Sequence, residues 1–284
     1  MTVHYRDLRY IRLAVDDLAR AEGFAGDVLG LQASGRQDGI AWFRSDSRAY
    51  SLCLSDRADS AVALSVADRT MLDAVGARLQ AAGVAVTELS DDDCAARWIK
   101  AGLTCTAPNG VPVEIVMRPL ESGWRYHGPR DAGITGLQAV SLACTDIAAN
   151  EDFWTGAVGL TVSDWAGDAC YLRLGDRHHD IVLYPSERDG IFAVDFAVEG
   201  INNVMQNFYH LQARQYPIVQ GPGRRPASNA VFVVTRGPGG VLFGYGAEMA
   251  EGDAVTGRAP RQFPAAPGSF CAWGSPTEQK EFLG

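Results

Sequence analysis

The chain repeats itself once, and that repeat limits its possible folds more than any other feature. The first copy opens Arg9-Tyr-Ile-Arg-Leu-Ala-Val-Asp-Asp17, continues through a helical stretch, and reaches Val28-Leu-Gly-Leu31. The second opens Gln138-Ala-Val-Ser-Leu-Ala-Cys-Thr-Asp146 and reaches Val158-Gly-Leu160. Asp17 and Asp146 lie 129 positions apart, and so do Gly30 and Gly159. The copies also end alike. Ala107-Pro-Asn-Gly-Val-Pro-Val-Glu114 matches Gly237-Pro-Gly-Gly-Val-Leu-Phe-Gly244, with Pro108 and Pro238 offset by 130. Distant marks sharing nearly one offset describe a duplicated domain.

Each half reads as strand, helix and three short strands, used twice. Strands are predicted near 9–15, 40–44, 50–54 and 61–66, where apolar and β-branched residues are bounded by Gly, Asp and Ser. Helices are predicted over 18–29 and 68–82. The second shows Met71, Leu72, Val75 and Leu79 at helical spacing and stops at Gly83. The second half offers helices near 147–158 and 200–213. Its strands fall near 136–143, 161–165, 169–174, 180–184, 191–198, 230–235 and 241–246. Residues 118–133 read as a linker. The expected fold is α+β, in two domains over 1–118 and 134–248. Each domain pairs two βαβββ modules whose strands form a curved mixed sheet around a cavity. A tail, 249–284, is expected to run over the surface, with Phe270, Trp273 and Phe282 available to pin it.

Composition excludes several function classes. With 284 residues and 47% apolar content the chain can bury a full core. Its 25 Lys and Arg against 34 Asp and Glu leave a net charge of −9, which argues against nucleic acid and anionic membrane as partners. No apolar run reaches the ~18 residues of a membrane span. The start, Met1-Thr-Val-His-Tyr-Arg-Asp7, lacks the form of a signal peptide. Six scattered cysteines, Cys53, Cys94, Cys105, Cys144, Cys170 and Cys271, form no CxxC pair. They read as free thiols of a cytoplasmic protein rather than a zinc site.

Three stretches carry a resemblance: Leu137 to Asp146, His178-His-Asp-Ile-Val-Leu183, and Gly221-Pro-Gly-Arg-Arg-Pro-Ala-Ser-Asn229 through Gly237-Pro-Gly-Gly240. Over roughly residues 7–248 the chain resembles the vicinal oxygen chelate superfamily, and within it the two-domain type I extradiol ring-cleaving dioxygenases. The resemblance implies Fe(II) or Mn(II) held by two histidines and a glutamate of the second domain, and an oligomer. Carried over residue by residue, the two histidines fall on Ala139 and Ala193 and the glutamate on Gly244. The family's active-site tyrosine falls on Val234, and the histidine of its Gly-Pro-Gly-Arg-His stretch on Arg225. Only its acid/base histidine is kept, as His179. Alanine and glycine offer no donor, whereas such a site needs three converging ones. The first half keeps Glu114 at the carboxylate slot but has Tyr10 at the first histidine slot. No metal and no other cofactor is therefore expected.

The vacated positions leave room for a small molecule. Strand alternation adds Ser141, Asp195 and Phe232 to the cavity face, with Ile181 and Leu183 expected inward beyond His179. Gln138 joins Ser141, Ala139, Ala193, Phe232, Val234 and Gly244 as the expected substrate-binding set. His179 is the candidate acid/base, titrating near pH 6–7, because imidazole is the side chain suited to that range. His178 is expected to point outward. Asp195 is placed to pair with Arg225 or activate water, and Arg225 to hold a carboxylate or enolate bidentately. Three functions follow. One is a metal-independent isomerase, hydratase or C–C lyase acting on an aromatic-derived, carboxylated small molecule in aromatic catabolism. The second is a protein that sequesters such molecules. The third is a ring-cleaving dioxygenase with unusual ligands.

Overall fold

A computed structural model describes residues 3–284. The first half runs β1 (Tyr5–Ala14), α1 (Leu18–Gly23), β2 (Gln32–Gln37), β3 (Ile40–Arg44) and β4 (Leu52–Ser55). It continues with β5 (Ala61–Val66), α2 (Arg69–Ala81), β6 (Thr87–Glu88), α3 (Asp91–Ala96), β7 (Ala101–Thr106) and β8 (Pro112–Met117). The second half runs β9 (Ile134–Cys144), α4 (Ile147–Asp152), β10 (Thr161–Ala166), β11 (Ala169–Arg173) and β12 (Ile181–Pro185). It continues with β13 (Gly190–Val198), α5 (Ile201–Ala213), β14 (Ile218–Arg224), β15 (Val231–Arg236), β16 (Leu242–Ala247) and, in the tail, β17 (Arg261–Phe263). Four βαβββ modules are present, the second carrying α3 as an addition.

The halves build equivalent mixed sheets. In the first, β1 pairs parallel with β4 and antiparallel with β5, and β5 pairs parallel with β8. In the second, β9, β12, β13 and β16 repeat that pattern. The sheets have eight and nine strands among the described residues, the ninth being β17 on the edge of β10.

The repeat survives as local chemistry. Asp17 and Asp146 are both helix N-caps, each accepting from the backbone N–H three residues on, at 2.9 Å. The single helices expected over 18–29 and 147–158 are in fact two-part. Each changes after six residues from α to a π-helical turn, Phe24–Leu29 and Phe153–Val158. Wider turns leave the last carbonyls poorly served within the helix. Both stop at a glycine with positive φ, Gly30 at 86° and Gly159 at 95°, a conformation glycine adopts freely.

Side chains from elsewhere take up the freed carbonyls. Arg130 and Tyr245 donate to Val28 O and Leu29 O, while Arg78 donates to Gly156 O and Ala157 O, and Tyr5 to Val158 O. Tyr245 belongs to the second half and serves the helix of the first; Tyr5 does the reverse. Phe24 packs on Phe243 and Tyr216 across the same junction, at centroid distances of 5.2 and 5.6 Å. This exchange couples the halves and fixes the orientation of β16, whose other face lines the second-half chamber.

The tail departs from expectation. It does not merely run over the surface: β17 joins the sheet, and Phe270, Cys271 and Phe282 are buried. Trp273 is 47% exposed, with its ring under the Arg224 guanidinium at 5.6 Å. All six cysteines are buried free thiols.

Candidate active site

The chamber of the second half lies on the concave face of the nine-stranded sheet. Register places Ala139, Asp195, Gly244, Val234 and Gln220 in one row across five strands. Ala193 sits one step along, opposite Ser141 on β9 and Leu242 on β16. Ala193, Phe232, Val234 and Leu242 belong to one buried apolar cluster with Tyr171, Tyr184, Phe192 and the tail residues Phe270 and Phe282. Gln138 is buried, and its amide lies over Gly246, where a side chain would collide with it.

β12 begins at Ile181, and its alternation is the opposite of the expected one. Ile181 and Leu183 pack into the main core behind the sheet, while Val182 and Tyr184 face the chamber. The cause is Asp180, which takes one extra step before the strand. Its carboxylate accepts from Leu174 N at 2.8 Å and from Arg177, closing the turn.

That turn also corrects the expectation for His178. It is fully buried rather than outward. Its Nε2 lies 2.7 Å from Asp164 Oδ2, and its Nδ1 lies 3.0 Å from His179 Nδ1. A carboxylate only accepts, so His178 must donate through Nε2. The Nδ1 of a neutral His178 is then an acceptor, and His179 donates to it through its own Nδ1–H. The free lone pair of His179 is thereby assigned to Nε2, which makes no other hydrogen bond among the described residues.

Asp164 anchors this chain. It is fully buried in β10, and two tail arginines close on it. Arg258 donates through both terminal nitrogens at 2.8 and 2.9 Å; Arg261 donates through N, Nε and Nη2 at 2.7, 3.1 and 2.7 Å. Burial opposes its charge, but the hydrogen bonds from His178, Arg261 and Arg258 outweigh burial and hold the carboxyl well below the usual carboxylate range. Burial, followed by the neighbouring His178, Arg225 and Arg177, pushes His179 well below the ordinary histidine value. Its titration therefore lies lower than the pH 6–7 expected from sequence, and it is a neutral base at neutral pH.

Arg225 sits among aromatic rings. Its guanidinium carbon lies 4.1 Å from the Phe232 centroid and 5.3 Å from that of Phe282. The Asp195–Arg225 pair allowed by sequence is not formed within 4.0 Å, although each feels the other's charge. Burial raises the Asp195 carboxyl and Arg225 only partly opposes that. Asp195 instead fills the space above Gly244: a Cβ built there would overlap Asp195 Oδ1. His179, Asp195 and Arg225 thus share one chamber and one field without a direct bond between them. Ser141 is buried on the same face, opposite Val182 and Ala193. A cleft of about 610 Å³ borders the chamber's roof, between Ala169, Pro185 and Arg188 on one side and Phe270, Lys280 and Glu281 on the other.

In the first half the corresponding chamber is closed by its own charges. Glu114 is buried and accepts from Tyr10 Oη, from Arg12 Nη2 at 3.0 Å and from Arg97 Nε at 2.9 Å. Trp42 stacks on Trp98 and Tyr10 tilts against Tyr50 around it.

A model of the Glyoxalase/Bleomycin resistance protein/Dioxygenase superfamily matches residues 7–115 and 136–245. The chain belongs to that superfamily. Biphenyl-2,3-diol 1,2-dioxygenase of Pseudomonas sp. is 29% identical over 62% of the chain; the match spans 66% of that relative, just under two thirds. 3-Methylcatechol 2,3-dioxygenase of Pseudomonas putida is 28% identical over 84% of the chain and 88% of its own length. Among solved structures, a halotolerant catechol dioxygenase, BphC, superposes with a TM-score of 0.88 at 19% identity, covering 98% of this chain and 97% of that one. The Mn(II)-bound glyoxalase from Novosphingobium aromaticivorans gives 0.86 at 24% identity, covering 99% and 95%. The fold is that of the two-domain extradiol dioxygenases of this superfamily.

The donors do not fit the metal that this fold implies. Ala139, Ala193 and Gly244 have no ligand atom, and the described residues contain no group of three or more His, Cys, Asp or Glu able to hold an ion. The one chamber carboxylate, Asp195, occupies the space in front of Gly244 beside a guanidinium. Sequence reasoning missed Asp164, Tyr171, Tyr184, Arg258 and Arg261. The His178-His179 dipeptide was the available signal for Asp164, since two adjacent imidazoles cannot both face solvent-free space unpartnered. Nothing local marks the tail arginines.

Proposed function

We propose that the protein is a proton-transfer enzyme, independent of the superfamily's metal triad, acting on an aromatic-derived, carboxylated small molecule. The observation that carries the reading is the Asp164–His178–His179 chain, which leaves one buried imidazole neutral with its Nε2 lone pair free. Such an orienting carboxylate fixes the tautomer and supports the cation that forms when the outer imidazole takes a proton. His179 Nε2 removes a proton from the substrate, and the electron pair stays on the substrate as an enolate or phenolate. Arg225 offers the nearest fixed positive charge to that anion. The proton returns from Nε2 to another substrate atom, as in an isomerase. In a C–C lyase the proton would leave a hydroxyl, C=O would form as the C–C bond breaks and the released carbon would take the proton. In a hydratase the proton would come from a water whose oxygen bonds the substrate carbon. The relatives' printed names, a biphenyl diol and a methylcatechol dioxygenase, support an aromatic-derived substrate in aromatic catabolism. The absence of a long apolar helix among the described residues and the six free thiols support a cytoplasmic setting, and the family resemblance an oligomer.

The test is deuterium incorporation, read by NMR, into a panel of aromatic-derived keto and enol acids in heavy water. The wild type, dialysed against EDTA, should exchange at least one member; His179→Ala should slow that exchange by ~10²–10⁴ while keeping the fold. Equal exchange by the variant would remove His179 from the mechanism. Exchange restored only by added Fe(II) or Mn(II) would sink the metal-independent reading. Tight binding without exchange would leave a sequestering protein.

A further inference from the structure

The buried cation of the chamber lacks a partner. Arg225 is 8% exposed, its Nη1 is sealed from water with no hydrogen bond, and none of its guanidinium nitrogens bonds to another described residue. Tyr171 Oη is sealed and unpartnered too, although Tyr171 and Tyr184 lie close enough to perturb each other and Arg225. The rings of Phe232 and Phe282 pack against the guanidinium. Its edge, which carries the donors, is left unused. Asp195, more than 4.0 Å away, shares its field but gives it no hydrogen bond; a buried charge left without a bonded partner is unfavourable, and the other buried arginines here avoid that. Arg12 meets Glu114, and Arg44 donates to Ser122 and two carbonyls. A fork of N–H donors with a phenol beside it has the geometry of a receptor for a planar oxyanion.

We infer that Arg225 and Tyr171 form a carboxylate-binding subsite, and that it takes a planar aromatic or conjugated acid. The carboxylate lies along the guanidinium edge and accepts from Nη1 and from the Tyr171 hydroxyl. The attached ring lies in the apolar field of Phe192, Val234 and Leu242. Phe282, in the tail, is the far wall of the cage, so a ligand enters past the tail. The cleft beside Phe270, Lys280 and Glu281 is the approach. The inference rests on reading this chamber as the small-molecule site but not on catalysis there.

The test compares benzoate with its neutral isostere benzamide by isothermal titration at neutral pH, using the full chain. Wild type should bind benzoate at least tenfold more tightly. Arg225→Met should weaken benzoate by ~30-fold or more and leave benzamide nearly unchanged, whereas Arg225→Lys should keep part of the preference. Without ligand, Arg225→Met should melt no lower than wild type, because it removes an unpaired cation from an apolar cage; a structural arginine would give the opposite. If Arg225→Met fails to fold, the arginine is structural and the inference falls. It also falls if wild type shows no preference for benzoate, or if Arg225→Met keeps it. Proton exchange without carboxylate preference would overturn the subsite alone, and carboxylate preference without exchange would overturn the catalytic reading alone.

Discussion

Replacing Asp164 by Asn tests the chain that orients His179. The carboxylate accepts from six donors: Oδ1 from Arg258 Nη1, Arg261 N and Arg261 Nε, and Oδ2 from His178 Nε2, Arg258 Nη2 and Arg261 Nη2. Asparagine has one acceptor oxygen and one amide nitrogen, so in either orientation three donors face another donor. The side chains of Arg258 and Arg261 remain 24% and 46% exposed and can turn to water, but that of His178 is sealed. Breaking a buried charge network costs about 3–5 kcal/mol, and rehydration of the arginines reduces this to about 2–4 kcal/mol. At about 2–4 °C per kcal/mol, Asp164→Asn should melt ~4–16 °C below wild type at pH 7.

The pH dependence has a definite sign. The Asp164 carboxyl is depressed in the folded protein, so its contribution is present above the unfolded value near ~3.9 and is lost as pH falls towards the folded one. Calorimetry from pH 8 to pH 3 should show a difference that is constant down to pH ~5 and narrows below ~4. A difference under ~1 °C at pH 7, or one unchanged at pH 3, would refute the network's role.

Two other perturbations read the same chamber. His179 is pushed well below its ordinary value, so below about pH 6.5 the unfolded chain binds more protons and stability falls, by up to about 1.4 kcal/mol per pH unit for this one group. His179→Asn should flatten the urea midpoint between pH 6.5 and 5, leaving the smaller slope of His178, which is shifted the same way; an unchanged slope would mean the imidazole already titrates normally. Gly244→Ala should lose about 1–3 kcal/mol because the new methyl overlaps Asp195 Oδ1. Asp195→Ala/Gly244→Ala should recover part of that, with a coupling of about 1 kcal/mol or more in a urea double-mutant cycle; strict additivity would show that the two positions do not share the space.

Much of the fold was legible because duplication writes the same local rules twice. Asp17 and Asp146 cap, Gly30 and Gly159 terminate, and the strands between alternate as required. The switch to π-helical turns was not legible: it depends on Arg130, Tyr245, Arg78 and Tyr5, which lie far from those helices in sequence. Strand periodicity put Asp195, Phe232 and Val234 on the chamber face, because β13 and β15 begin at clear turns. It misplaced Ile181 and Leu183 because the turn at Asp180 shifts the phase of β12 by one residue, and a one-residue shift exchanges the faces of a strand. The tail was the least legible. Its arginines reach Asp164 and Phe282 reaches Tyr184 and Phe192, all of them 90 or more positions away.

The substitutions within the chamber are coupled through charge. A divalent ion held by two neutral imidazoles and one carboxylate leaves one net positive charge in the cavity. Ala139, Ala193 and Gly244 remove every donor of such a set, and removing the ion alone would leave the space without its cation. Here Arg225 supplies one positive charge in place of the ion, and burial raises the Asp195 carboxyl above its ordinary value while Arg225 partly opposes that. The position of that charge has changed. A metal ion binds the substrate's own oxygens and polarises them directly. On the proposed reading, the guanidinium beside Phe232 and Phe282 is instead a fixed cradle for an oxyanion, and proton movement passes to His179. The same field that suits an anion keeps His179 unprotonated, since Arg225 is one of the charges lowering it. Anion binding would partly cancel that charge and raise the basicity of His179 as the substrate settles. A base that strengthens only when its substrate is present avoids capturing a solvent proton beforehand, and this links the arginine to the histidine without a bond between them.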